Sequence, residues 1–257
     1  MDQRTPQPTS PKKQDGAQSI HRTIAIIRIV AKYNYTGVAL SKVARDVDLP
    51  SSTTHRILSV LVDEGMVSYN GLTKCYHLGI ALSLLGSEAR QYELRYVYRE
   101  ILERIARQTE DTAYLLMQSG YDVLCVDRVV DSTPIQVLTF DVGGRRPLGV
   151  GPGSLAILAS LPEVEMGRIL RHNERRYASY TGYAPDDMRR MIQMYRQQGY
   201  IVNSVTPYTV GVGMALRDKS GKLVGAVSVN GIISKMDKKR EKYIARLIQS
   251  EISNTLI

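Results

Sequence analysis

Cysteine is scarce in this chain: Cys75 and Cys125 are the only two, they lie far apart, and they form no CxxC pair. Neither a disulfide framework nor a structural zinc site is expected from them, and their scarcity fits a reducing cytoplasm. Long apolar runs are missing as well. No window approaches the roughly eighteen consecutive apolar residues of a membrane span, and the opening "MDQRTPQPTSPKKQDGAQ" lacks the apolar stretch of a secretory signal. The expectation is a soluble, cytoplasmic protein with no membrane partner. Histidine is sparse too. His21, His55, His77 and His172 show no metal-ligand spacing, and "CYH" at 75–77 falls in a short β-prone run where chance explains it. No Ser or Cys nucleophile stands beside a base, and Glu163 and Glu165 lie in polar helical surroundings. These absences point away from an enzyme, a metal site or a resident cofactor.

What is present is positive charge. The 257 residues carry a formal net charge of +9, and the first 80 hold ten Lys/Arg against six Asp/Glu. Per residue that third is about twice as basic as the rest, which favours contact with a polyanion. The length allows two modest domains with real cores.

Residues 1–18, rich in Pro, Gln, Ser and Lys, read as a disordered tail, in which Lys12 and Lys13 are a solvated pair able to brush a phosphate backbone. Ser19 is a plausible N-cap for a first helix with Ile20, Ile24, Ile27 and Ala31 at helical spacing. After the turn "NYTG", a second short helix spans 41–47 over Leu40, Val43, Ala44 and Val47, and a third spans 51–64 over Ile57, Leu58, Leu61 and Val62, stopped by Gly65. Two β-prone runs, 66–69 and 74–78, flank Asn70-Gly71, a strong hairpin signal. Three helices and a hairpin describe a winged helix-turn-helix over 19–79. Helical spacing resumes through Leu82 and Leu85, then Leu94, Val97, Ile101 and Ile105, predicting a connector over 80–96 that leads into a second domain over 97–257. There "TAYLLMQS", "DVLCVDRVV" and "IQVLTF" read as strands. Helices follow near 152–160, 163–171 and 185–198, then strands near 212–217 and 223–229, then a closing helix over 235–253. The fold class is α+β: a winged helix-turn-helix, a linker helix and a mixed α/β sensor-type domain.

In a helix-turn-helix the second helix of the motif enters the major groove with its N-terminal residues toward the base edges. Those are Ser51, Ser52, Thr53, Thr54, His55 and Arg56. Hydroxyls suit phosphate or base, Thr methyls suit a thymine methyl, and Arg56 can take a guanine in two hydrogen bonds or clamp a phosphate. Capping accounts for one of the serines. Arg22, Arg45 and Lys74 are candidate phosphate contacts. The competing reading is that this module docks a protein rather than DNA.

The run "ALSKVARDVDLPSSTTHRILSVLVDEGMV" followed by "KCYHLGIALSLLG" closely resembles IclR-type bacterial transcriptional regulators. The C-terminal "GYIVNS" and "VGMALRDKSGKLVGAVSVNG" resemble that family's effector domain, so the similarity spans roughly residues 19–255. The resemblance implies a winged helix that binds double-stranded DNA, a linker helix that mediates dimerisation, and a GAF-like domain binding a small-molecule effector. It also implies a homodimer or a dimer of dimers, and control of catabolic genes.

In the second domain, "DVGGRRPLGVGPGSLAILASL" places a glycine-rich loop before a helix starting near Pro152. Free N–H groups at that start, around Gly151, Gly153 and Ser154, can hold a carboxylate. Gly149, Gly151 and Gly153 match only the beginning of a dinucleotide fingerprint. Position 154 is Ser, and no strand ending in an acidic residue follows at the required distance. By resemblance, the effector pocket draws on Gly153, Asn203, Gly211, Ser228 and Asn230. Here Asn203 and Gly211 stand where such relatives place an acidic residue and a cysteine, which implies a roomier pocket suited to a different ligand, such as an aromatic acid.

Overall fold

The computed structural model describes residues 15–88, 91–131 and 138–253. The chain divides into two compact units, Met1–Tyr92 and Glu93–Ile257.

The first unit holds α1 (Asp15–Lys32), β1 (Val38–Ala39), α2 (Leu40–Asp46), α3 (Ser51–Asp63), β2 (Val67–Asn70), β3 (Cys75–Leu78) and α4 (Ile80–Glu88). Between α2 and α3 the chain turns sharply because Asp48 takes a left-handed φ of 52° and the Leu49 amide donates back to Ala44 O. A short polar side chain tolerates that conformation. At the far end of α3, Gly65 at φ +66° is the stop that the sequence predicts. Ile26, Val30, Val38, Val43, Leu58, Leu61, Val67 and Tyr76 form the core.

Several details differ from the sequence reading. Helix α1 starts at Asp15, four residues before Ser19, so the latter part of the expected tail is helical; residues 1–14 lie outside the described residues. Its buried side is Ile26 and Val30, while Ile20 and Ile24 are exposed. Isoleucines on several sides of this helix satisfy the 3.6-residue period in more than one register, so spacing alone does not choose the face. Asn70-Gly71 lies at the wing tip, as the sequence predicts. It opens a four-residue tip in which Asn70 Oδ1 accepts from the amides of Leu72 (2.9 Å) and Thr73 (3.2 Å), and Lys74 takes φ 54°. The wing strands pair from Val67↔Leu78 to Asn70↔Cys75, and β1 adds a third strand in the order β1-β3-β2.

The second unit takes in most of α5 (Gln91–Thr109), then β4 (Thr112–Ser119), β5 (Asp122–Val129), β6 (Arg145–Pro147), α6 (Pro152–Ala159), α7 (Glu163–Tyr177), α8 (Pro185–Gln198), β7 (Ile201–Asn203), β8 (Thr209–Arg217), β9 (Leu223–Ile232) and α9 (Lys238–Ser253). The division between the units falls inside the connector expected over 80–96. There α4 belongs to the first unit, residues 89 and 90 lie outside the described residues, and Leu85 is exposed rather than buried. Along α5, Ile101 and Ile105 are buried as expected and Val97 packs against them; the side chain of Leu94 lies outside the described residues. The strand expected at 135–140 does not form at Leu138–Phe140, and 135–137 lie outside the described residues; the third strand is instead Arg145–Pro147.

The strands make one antiparallel sheet in the order β6-β5-β4-β9-β8-β7. Alternation splits them into two faces. Tyr114, Leu116, Val123, Cys125 and Ala226 pack with α6, α7 and α8, while Ala113, Leu115, Val129, Val212, Val227 and Val229 pack with α5 and α9. A bulge at Leu115/Leu116, opposite Asp127 and Cys125, changes which face β5 presents. Cys125 therefore faces α6, while Asp127, nearly inaccessible, meets Arg95 (3.5 Å) and Arg99 (3.1 Å) of α5.

Candidate nucleic-acid interface and effector site

Helix α3 begins on Pro50 as its N-cap, with φ −56° and ψ 140° and no side-chain cap hydrogen bond. Ser51 and Ser52 are therefore the first two helical residues, and neither caps the helix; both are exposed. The amides of the first turn are left without intrahelical acceptors, the arrangement that attracts phosphate at a helix start. Thr54 does not belong with them. It is fully buried, its Oγ1 donates to Pro50 O at 3.1 Å, and it shares the inner side with Leu58 and Leu61 at i+4 and i+7. Its expected role as a DNA contact is corrected to a core role. Thr53 is half-buried at the edge, and His55 and Arg56 are exposed.

A cleft of about 600 Å³ lies between α3 and the wing, lined by Ser51, His55 and Ser59 of α3, Ser41 of α2, and Tyr69 and Lys74 of the wing. Asp63 lines the same cleft. Ser59 was not anticipated. It lies one turn beyond His55, to whose carbonyl it donates at 3.0 Å, and the i, i+4, i+8 spacing from Ser51 is the signal that would have found it. Among the described residues Arg22, Arg45, Arg56 and Lys74 form no ion pair, whereas Lys42 is neutralised by Asp46 at 2.7 Å. The unit thus presents unpaired cations beside a hydroxyl-rich helix start, the chemistry that positions a protein on a phosphate backbone and reads base edges.

In the second unit the strand register assembles the other candidates. Asn203 pairs with Gly211 and Gly211 with Asn230, so the three form one row across β7, β8 and β9. Gly213, Ser228 and Tyr114 form the next row. The amide oxygens of Asn203 and Asn230 are buried without a hydrogen-bond partner among the described residues, while their nitrogens donate to Tyr183 OH (3.0 Å) and Thr139 Oγ1 (3.1 Å). Against these rows lies the start of α6.

The loop before α6 needs its glycines: Gly149 and Gly151 take φ 109° and 93°. Its amides are already occupied. Gly149 N donates to Ser154 Oγ and Gly151 N to Tyr183 OH, both at 2.8 Å, and Tyr183 in turn donates to Ser204 O at 3.1 Å. Ser154 is therefore spent on closing the loop. A Cβ at Gly153 would stand 2.7 Å from Leu116 Cδ1, and one at Gly211 would stand 2.0 Å from Asn230 Oδ1. These two glycines let helix and sheet pack closely together. Burial pushes the Tyr183 phenol up to about 12, so it stays protonated and keeps both functions, accepting from Gly151 and donating to Ser204.

Sequence reasoning did not find Tyr183, nor Arg146. In β6, Arg145 points out, to Asp122 at 3.4 Å and Ser119, while Arg146 turns inward with its guanidinium over the Phe140 ring at 4.1 Å. A period-two reading of "RRP" separates the two arginines, but only once β6 is recognised as a strand.

An N-terminal winged helix in which Arg22, Arg45, Arg56 and Lys74 have no ion pair among the described residues, followed by an α/β unit in which the buried Asn203 and Asn230 oxygens have no partner among them, is the architecture of a transcriptional regulator that carries its effector-binding domain in the same chain. Family models agree over nearly its whole length: the IclR helix-turn-helix domain matches residues 19–71, and the bacterial transcriptional regulator IclR C-terminal domain matches residues 87–253. The chain belongs to the IclR family. It is 25% identical to the transcriptional repressor IclR of Escherichia coli K12 over 93% of this chain and 89% of that one. It is also 25% identical to the HTH-type transcriptional repressor AllR of Salmonella paratyphi A, over 91% and 87%. Among solved structures, an IclR homologue from Microbacterium hydrocarbonoxydans complexed with 4-hydroxybenzoate superposes with a TM-score of 0.73 at 20% identity, covering 92% of this chain and 98% of that one. Among the described residues no helix is long and apolar enough to cross a membrane.

Proposed function

We propose that the protein is a ligand-responsive repressor of a catabolic operon, binding a pseudo-palindromic operator as a homodimer or a dimer of dimers. Helix α3 lies in the major groove with Ser51, Ser52, His55 and Arg56 toward base edges and Thr53 at the margin, while Arg22, Arg45 and Lys74 contact phosphates. The observation that carries this reading is the divided surface of α3: Thr54, Leu58 and Leu61 form the buried side, and the opposite side shows only polar residues through its first two turns, beside cations that no carboxylate among the described residues neutralises. Two-fold symmetry places the paired helices on half-sites about one helical turn, or a multiple of it, apart.

The effector is a small organic or aromatic acid held on the α6 side of the sheet near Gly151, Asn203, Ser228 and Asn230. Support comes from the unpartnered amide oxygens there and from the 4-hydroxybenzoate bound by the Microbacterium hydrocarbonoxydans homologue. The acid alters operator affinity only in so far as it binds one state of the protein better than the other. A mobility-shift titration of the full chain on its own promoter region, at several salt concentrations and with and without candidate acids, tests both parts. A steep fall of affinity with salt and release by an acid are expected. A salt-insensitive interaction would instead favour a module that docks protein.

A further inference from the structure

We infer that the effector is an aromatic carboxylate and that Arg146 is the residue that holds its carboxylate. This rests on the effector-site reading above and adds to it the ligand's chemical class and the anchoring residue.

Arg146 is a charge without a counter-charge among the described residues. Arg146 is half-buried on the α6 face, directly across from Val123 in the β5–β6 register, and among the described residues it makes no hydrogen bond and no ion pair. The aspartates of the adjoining strand and loop are already committed. Asp141 pairs with Arg128 at 3.1 Å, Asp122 with Arg145 and Arg176 at 3.4 and 2.7 Å, and Asp127 with Arg95 and Arg99 on the opposite face. A guanidinium withdrawn from water without an anion is costly, and burial lowers its pKa from the ordinary arginine value. An anionic ligand supplies what the chain does not, and the guanidinium fork matches a carboxylate in two parallel hydrogen bonds.

What surrounds Arg146 is aromatic. Phe140 stacks on it, and Tyr180, Tyr114 and Tyr183 lie close enough to act on its charge. Tyr114 and Tyr183 are almost wholly buried, and Phe140 and Tyr180 are partly open. Rings of this kind favour a flat ligand in edge or offset contact. Two of them also lead to the orphaned acceptors. Tyr183 OH accepts from Asn203 Nδ2, and Tyr114 OH accepts from the amide of Thr139, whose hydroxyl takes the Asn230 amide. The Oδ1 atoms of Asn203 and Asn230, which have no partner among the described residues, each belong to one of these two hydrogen-bonded chains and can accept from a ring hydroxyl.

The test is isothermal titration of the full chain with 4-hydroxybenzoate, its uncharged analogue 4-hydroxybenzamide, and pyruvate, repeated on Arg146→Met and Arg146→Lys. The proposal predicts that 4-hydroxybenzoate binds the wild type, that the benzamide and pyruvate bind at least tenfold more weakly, that Arg146→Met loses about tenfold to a hundredfold for 4-hydroxybenzoate, and that Arg146→Lys loses less. Equal binding of acid and amide by the wild type overturns the role of Arg146 whether or not the variants fold. So does a Met variant with unchanged affinity, and in both cases an effector pocket still stands. Pyruvate binding without 4-hydroxybenzoate binding overturns the aromatic class but keeps an acid effector. Absence of binding by all three overturns the proposal together with the acid-effector reading beneath it.

Discussion

Replacing Arg56 by alanine separates a base contact from a phosphate contact. Arg56 is exposed and engages no partner among the described residues, so folding stability should stay within about 0.5 kcal/mol of wild type. A guanine held in two hydrogen bonds contributes about 1–3 kcal/mol of discrimination. Two copies on a symmetric operator lose it twice, which at about 1.4 kcal/mol per decade weakens specific binding by roughly 30-fold to 10⁴-fold. If Arg56 instead clamps a phosphate, specific and nonspecific DNA should lose affinity together, and the slope of log K against log salt should shrink by about 0.9 for each contact removed. Fluorescence anisotropy on operator and scrambled duplexes at four salt concentrations distinguishes the two, with thermal unfolding as the folding control. Operator affinity within twofold of wild type at every salt would remove Arg56 from the interface and sink the assignment of the α3 surface.

Two further expectations concern the second unit. Alanine at Gly213 should be poorly tolerated, because its Cβ would stand 2.3 Å from the Pro152 carbonyl carbon, a backbone atom that cannot move aside. Overpacking of this kind costs about 2–3 kcal/mol, and a calorimetric Tm lower by roughly 5–10 °C is expected; an unchanged Tm would refute the packing of α6 on β8. Stability should also fall as pH rises from 10 towards 12. Burial raises Tyr177 and Tyr183 from 10.0 to about 12, so the unfolded chain releases these protons first, binds fewer than the folded one across that window, and gains stability relative to it. Urea unfolding at pH 9, 10 and 11 should show a small decline over the first step and a larger one over the second, both smaller in Tyr183→Phe.

How much of this was legible in the sequence varies by element. Helix α3, its Gly65 stop and its inner Leu58 and Leu61 could be read because one period and one stop agree. Thr54 was misplaced because a hydroxyl looks polar in a sequence, and only the fold shows it bonded back to Pro50 O inside the core. The expected serine cap is absent for a related reason: Pro50 already holds the N-cap position. In the second unit, the strands at 112–119 and 122–129 were visible as long β-prone runs, whereas three-residue β6 and β7 are too short to show a period. Missing β6 hid Arg146. The row of Asn203, Gly211 and Asn230 was reachable through resemblance, but the work of Gly153 and Gly211 as spacers depends on how closely α6 approaches the sheet, a distance no local pattern encodes.

The central question is whether the outer surface of α3 reads DNA. Enrichment of bound sequences from a random duplex library by the full chain, alongside His55→Ala and Arg56→Ala, answers this with no operator sequence assumed. An inverted repeat with half-sites spaced by about one helical turn or a multiple of it is expected, with altered preference within the half-site for the two variants. No enriched motif from the wild type, or the same motif from all three proteins, would contradict it.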